Sequence, residues 1–218
     1  MTVDHLRRLV ARGEGQTIEF KRRVPSPDRL AKEVIAFANT SGGQLLLGVT
    51  DDGQIVGVKD SEEEEFSLRN ALSSFCRPAV DWASSRVPVS NKRDVIMVSI
   101  PSSRSKPHFL VDESNGMSGS AYVRIDDKSV EATEESVRLM QAEKETSGVH
   151  FEFGDRELML LKYLEQFGSV TIEEFAKLAH IDGPDASDIM VTLTRAGVLT
   201  QHREPRGDYY TLHYGETG

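Results

Sequence analysis

Residues 27–58 read PDRLAKEVIAFANTSGGQLLLGVTDDGQIVGV, and the order of signals in this stretch decides the kind of domain the chain builds. Ser26 stands just ahead of it, suited to cap a helix. Pro27 suits the first helical position, and Asp28 faces the positive end of the helix dipole. Leu30, Val34, Phe37 and Ala38 follow at the spacing of one helix face, and Gly42 and Gly43 are expected to stop that helix. Residues 44–49 and 54–58 then read as strands flanking Thr50-Asp51-Asp52-Gly53, a strong hairpin signal.

Working outward, residues 3–11 predict a short helix with Leu6, Leu9 and Val10 on one side, broken by Gly13 and Gly15. Residues 17–20 read as a strand that sends Ile18 and Phe20 to one face and Glu19 to the other. Towards the C-terminus a helix is expected over 62–75, strands over 85–89, 94–100, 108–111 and 120–125, and a helix over 134–143. Such a mixture predicts an α+β domain. Residues 144–150, KETSGVH, have linker character, which places a boundary between a first domain, 1–146, and a second, 147–218. Beyond it come three short helices, 155–167, 172–179 and 185–196. Two strands, 198–203 and 209–213, follow, joined by a Pro205-Arg206-Gly207 turn. Helix, helix, helix, hairpin is the order of a winged helix-turn-helix.

The chain has 218 residues, 38% hydrophobic and 28% charged, within the range of globular proteins. Its single cysteine, Cys76, excludes an internal disulfide framework and fits a reducing compartment. No apolar run at the start suits a signal peptide, and none approaches the roughly 20 residues of a membrane helix. The expectation is a cytoplasmic protein with no membrane partner. Net charge is −9, which argues against indiscriminate coating of nucleic acid. Residues 1–30 nevertheless carry seven basic side chains against four acidic ones. An anionic partner should meet Arg7, Arg8, Arg12, Lys21, Arg22 and Arg23 first.

Five blocks occur in order: EGQTIEFK at 14–21, AFANTSGG at 36–43, LLLGVTDDGQIVGV at 45–58, KPHF at 106–109 and AYVRID at 121–126. In sequence and order they resemble the Schlafen-type AlbA domain. The resemblance spans roughly the first 130 residues, whereas that of the C-terminal part to winged-helix modules rests on element order alone. It implies two functions. Many bacterial members with an attached winged helix are regarded as DNA-binding transcriptional regulators. Animal Schlafen proteins include metal-dependent endoribonucleases that cut structured RNA such as transfer RNA, using two Glu and one Asp. The matching positions here are Glu14, Glu19 and Asp51, with Asp52 an alternative for the last. If the chain is an enzyme, these acids would hold Mg²⁺ or Mn²⁺, since converging carboxylates without a counter-charge repel and a divalent cation relieves them.

A plainer reading stands beside each of these. Asp51-Asp52-Gly53 is what any tight hairpin turn prefers, and Glu19 could pair with a Lys or Arg across the sheet. ATP binding is not supported, because Gly43–Gly48 has the glycine spacing of a phosphate loop but Val49-Thr50 stand where Lys and Ser or Thr are required. His108 could contact a phosphate or sit at a strand edge. Contacts to DNA or RNA are expected from Lys21, Arg22 and Arg23, and from Arg203 and Arg206 of the wing. The third C-terminal helix carries Asp185 and Asp188 but a single basic residue, Arg195, unlike a helix that reads bases. Protein contact is an equal expectation for it, with Ile189, Val191 and Leu193 available. Schlafen nuclease cores carry two AlbA-like lobes and this chain has room for one, so the resemblance implies a homodimer.

Overall fold

The structure is a computed structural model, which describes residues 2–111, 119–143 and 153–214. It divides into two compact units, Met1–Ala132 and Thr133–Gly218. The first is α+β. Helix α1 (Val3–Ala11) leads into β1 (Ile18–Lys21), α2 (Pro27–Ala38) and β2 (Gly42–Leu47). The β1 and β2 strands pair in parallel, Glu19 opposite Leu45, so α2 is the crossover that parallel pairing requires. After α3 (Ser61–Phe75) and β3 (Cys76–Arg77), β4 (Ala83–Ser90) and β5 (Arg93–Pro101) complete a sheet of order β1-β2-β5-β4. A second, antiparallel sheet has the order β3-β6-β7-β8, with β6 at Phe109–Leu110, β7 at Ser120–Ile125 and β8 at Lys128–Glu131.

Both faces of the first sheet are buried along β2 and β5, and strand alternation says why. Leu45, Leu47, Ile96, Val98 and Ile100 point to α2 and α3, joining Val34, Phe37 and Leu68 in one core. Ile18, Phe20, Leu46, Val95 and Met97 point the other way and are covered by Leu6 and Leu9 of α1. Each fully buried side chain of this size contributes about 1.5–3 kcal/mol.

Two features differ from the sequence expectation. The glycines expected to stop α2 instead open β2, and the helix ends at Asn39, with the Thr40 hydroxyl donating to the Ala36 carbonyl at 2.8 Å. Gly43 is required for packing, because a Cβ there would enter the Phe37 ring. Residues 54–58 form no ladder strand. Gly48, at φ 101°, turns the chain so that its carbonyl accepts from both Val56 and Gly57, and only the Val49–Ile55 bridge remains of the hairpin.

The second unit contains α4 (Glu134–Ala142), α5 (Asp155–Phe167), α6 (Ile172–Ala179), α7 (Gly183–Arg195) and an antiparallel hairpin of β9 (Leu199–His202) and β10 (Tyr209–Leu212). Thr171 caps α6 reciprocally with Glu174, and the Asp182 carboxylate caps α7. Leu160, Leu164, Phe175, Met190, Leu193 and Tyr210 form its core. The division between units thus falls ahead of α4, not at 146/147. Arg138 of α4 pairs with Asp188 of α7 at 2.7 Å, and Ser187 donates to Glu135 at 2.7 Å. The linker read at 144–150 lies outside the described residues. Among the described residues no helix is long and apolar enough to cross a membrane.

Candidate nucleic-acid interface

Glu19 is placed by alternation. Its neighbours Ile18 and Phe20 enter the core beneath α1, so its carboxylate emerges on the opposite face of β1, where it is only 6% exposed. Arg124 of β7 meets it there, Nη2 donating to Glu19 Oε2 at 2.5 Å. The same guanidinium donates from Nη1 to Glu33 Oε2 at 2.9 Å and Ser129 Oγ at 3.2 Å. Its Nε and Nη2 also reach the Gly15 carbonyl at 3.2 and 3.1 Å. All five N–H groups of Arg124 therefore have an acceptor, and its plane lies over the Phe37 ring, 4.9 Å from the centroid. The other Glu19 oxygen is paired with Lys21 Nζ. Both oxygens of Glu19 thus face cations.

Glu14 accepts a hydrogen bond from the Phe20 amide at 2.8 Å. Burial raises its carboxyl above the ordinary value; the Phe20 N–H opposes this, and the charges of Glu19 and Asp51 add to it. Asp51 and Asp52 are exposed. Asp52 accepts from the Thr50 hydroxyl and from Gln54 Nε2, the latter at 2.7 Å, and the Thr50 bond holds its carboxyl below the usual range. The motif acids are neighbours, but among the described residues no group of three or more His, Cys, Asp and Glu is arranged to hold a metal ion. A divalent cation needs free carboxylate oxygens, and those of Glu19 are taken by Arg124 and Lys21. The donor set does not suit Mg²⁺ or Mn²⁺ in this arrangement.

Of the expected basic contacts, Lys21 is half-buried and engaged with Glu19 and the Phe20 carbonyl. Arg22 and Arg23 are exposed, make no ion pair among the described residues, and line a groove of about 710 Å³ at the start of α2 that Glu63 and Glu64 share. In the second unit Arg206 is exposed in the turn between β9 and β10, whereas Arg203 is half-buried and donates to Ser136 Oγ at 3.2 Å.

Residues 14–133 match the family described as Schlafen, AlbA_2, more than half of the chain. The chain belongs to this family. Two solved structures are similar to it at low identity. The N-terminal domain of a RecG-related protein from Nitrosomonas europaea is 23% identical over 57% of this chain and 89% of that one, with a TM-score of 0.41. The DIP2311 protein from Corynebacterium diphtheriae is 17% identical over 97% of this chain, with a TM-score of 0.45, and this chain covers 38% of its length. Among curated proteins none matches.

Within the AlbA_2 domain, two residues to which sequence reasoning gave no part in joining the motifs organise them. Arg124 is one. Asn39 is the other: its Nδ2 donates to the His108 and Tyr122 carbonyls, both at 2.9 Å, and its Oδ1 accepts from the His108 amide at 2.7 Å. The AFANTSGG, KPHF and AYVRID blocks therefore meet at one buried amide, and their joint presence was the signal available. His108 is itself 1% exposed, its ring held by the Pro78 carbonyl at 2.8 Å and Ser103 Oγ at 2.7 Å. It is neither a strand-edge residue nor a surface phosphate contact. In the second unit Val191 and Leu193 are buried and Ile189 packs against the same core. These three apolar residues are committed to packing, so a homodimer would have to use another surface.

Proposed function

We propose that this AlbA_2 protein binds nucleic acid as a DNA-binding regulator and does not cut it. The observation that carries this reading is the state of Glu19. Its carboxylate is buried and neutralised by Arg124 and Lys21, which makes it a scaffold for the motif loop, while Arg22 and Arg23 immediately after it are exposed and without acidic partners among the described residues. Backbone phosphates need such unpaired cations.

The C-terminal unit supports a secondary role on the DNA. We read it as a winged helix-turn-helix in which α7 is a poor base reader. Its Asp188 and Ser187 are engaged by α4, and Asp185 lies 3.9 Å from Arg156, so the helix presents acids to its surroundings. Arg206 in the hairpin turn is better placed to touch a phosphate. The endoribonuclease alternative requires Glu19 to leave Arg124 before a metal could use it.

Salt dependence tests the reading. Arg22→Ala with Arg23→Ala should weaken binding to duplex DNA and lower the log–log salt slope by about 1 to 2, as expected for two lost phosphate contacts. An unchanged slope places the binding surface elsewhere.

A further inference from the structure

One end of the first sheet, where β1, β2 and β4 begin and β5 finishes, closes against α1 around a groove of about 790 Å³. Trp82, the only tryptophan of the chain, lines it. The residue is half-buried and packs against the core beneath α2 and α3, so an indole anchored on that core borders the open space. Gly42 and Gly43 leave bare backbone in the lining. A side chain cannot stand there, since a Cβ at Gly42 would lie 2.6 Å from the Ser102 nitrogen. Polar groups surround the aromatic one: His5 comes from α1, Arg12 from the residue that caps its C-terminal end, Gln44 from β2, and Asp81 precedes Trp82. Arg12 is exposed and makes no ion pair among the described residues, and the side chains of Gln44 and Asp81 have no hydrogen-bond partner there.

We propose that this groove takes an unstacked base of a single-stranded nucleic-acid segment. The base lies against Trp82, its edge meets the Gln44 amide and the Asp81 carboxylate, and a flanking phosphate is held by Arg12. The proposal rests on the nucleic-acid reading above and gives it a second, non-duplex contact. Aromatic faces accept any base by stacking, while cations track the backbone. One arginine with a nearby histidine suits a phosphodiester, which carries one charge, rather than the triphosphate of a free nucleotide. The groove also spans the whole sheet end, since its lining draws on all four strands.

The lone tryptophan makes the test direct. The full chain is titrated with an oligothymidylate of about twelve nucleotides, following indole fluorescence, and affinity is read separately from the anisotropy of the labelled oligonucleotide. Saturable quenching is expected. Trp82→Leu should bind about tenfold more weakly, the order of one lost stacking contact. Trp82→Phe, which keeps an aromatic face and guards against a folding defect, should stay within about threefold of wild type, and Arg12→Gln, at an exposed position, should weaken binding. Oligonucleotide binding that neither quenches the indole nor responds to Trp82→Leu and Arg12→Gln overturns the groove while leaving nucleic-acid binding intact. Quenching by thymidine monophosphate at the affinity of the oligonucleotide overturns the strand in favour of a free nucleotide. Absence of binding to any nucleic acid overturns the underlying reading and the groove with it.

Discussion

Glu19 and Asp51 belong to the same motif set and lie on adjoining segments, one within β1 and the other four residues past the end of its neighbour β2. Their surroundings are opposite. Glu19 is 6% exposed and clasped by a guanidinium that also binds Glu33 and the Gly15 carbonyl. Asp51 stands in solvent, and its neighbour Asp52 is held, among the described residues, by Thr50 and Gln54 of the same turn. A carboxylate in low dielectric must be neutralised by a partner or a proton, whereas an exposed one need not be. Shared motif membership therefore does not make the acids equivalent: one is tied into the domain by buried ion pairs, and the other stands exposed in a turn.

The sharpest way to break this contrast is to remove the guanidinium. Arg124→Met should cost about 3–5 kcal/mol of unfolding free energy by urea denaturation, because it leaves the buried Glu19 with Lys21 alone and strips the half-buried Glu33 of its arginine. A loss below about 1 kcal/mol, the level of a surface pair, would mean that Glu19 does not depend on Arg124.

Glu14 lies between the two extremes, and its effect should be smaller and depend on pH. Its folded carboxyl is raised, chiefly by burial, so the folded chain holds this proton more tightly than the unfolded chain does. The associated stability is complete below the unfolded carboxyl value and is lost as pH rises through the folded one. Glu14→Gln keeps an acceptor for the Phe20 amide and removes the titration. Relative to wild type, its Tm should rise between acid and neutral pH, and a constant difference would contradict the raised carboxyl. The smallest effect belongs to the turn. Asp51→Asn should leave Tm unchanged, and Asp52→Ala should lower it slightly, detectable by calorimetry. A large loss from either would mean that the turn acids carry part of the fold.

Much of this structure was legible in the sequence where one face of an element is apolar and its ends are capped. Helices α1, α5 and α6 fall on the residues their periodicity predicts, and the alternation of Ile18, Glu19 and Phe20 correctly separates acid from core. Short or bent elements were not legible. The two residues of β3 carry no period, and residues 54–58 look like a strand until the positive φ of Gly48 and Gly57 turns them away from a ladder. The partner of Glu19 was also out of reach. Arg124 lies 105 residues away, and nothing local distinguishes it from a surface arginine in a strand. The apolar residues 189, 191 and 193 invited an interface reading because composition does not say which positions α5 and α6 cover. The allegiance of α4 was hidden similarly, since its ties to α7 and the hairpin include polar contacts that periodicity does not show: Glu135 accepts from Ser187, Ser136 accepts from Gln201, and Arg138 donates to Asp188.

The central claim is that the motif carboxylates support a nucleic-acid-binding surface and do not form a metal centre. Its most direct test incubates the full chain with a labelled structured RNA and with duplex DNA, with and without Mn²⁺, following binding by anisotropy and strand length by denaturing gel. The expected result is saturable binding, weakened in Arg22→Ala/Arg23→Ala, with both substrates intact in either condition. Mn²⁺-dependent shortening of the RNA that is abolished in Glu19→Gln would contradict it, and would mean that Glu19 exchanges Arg124 for a metal.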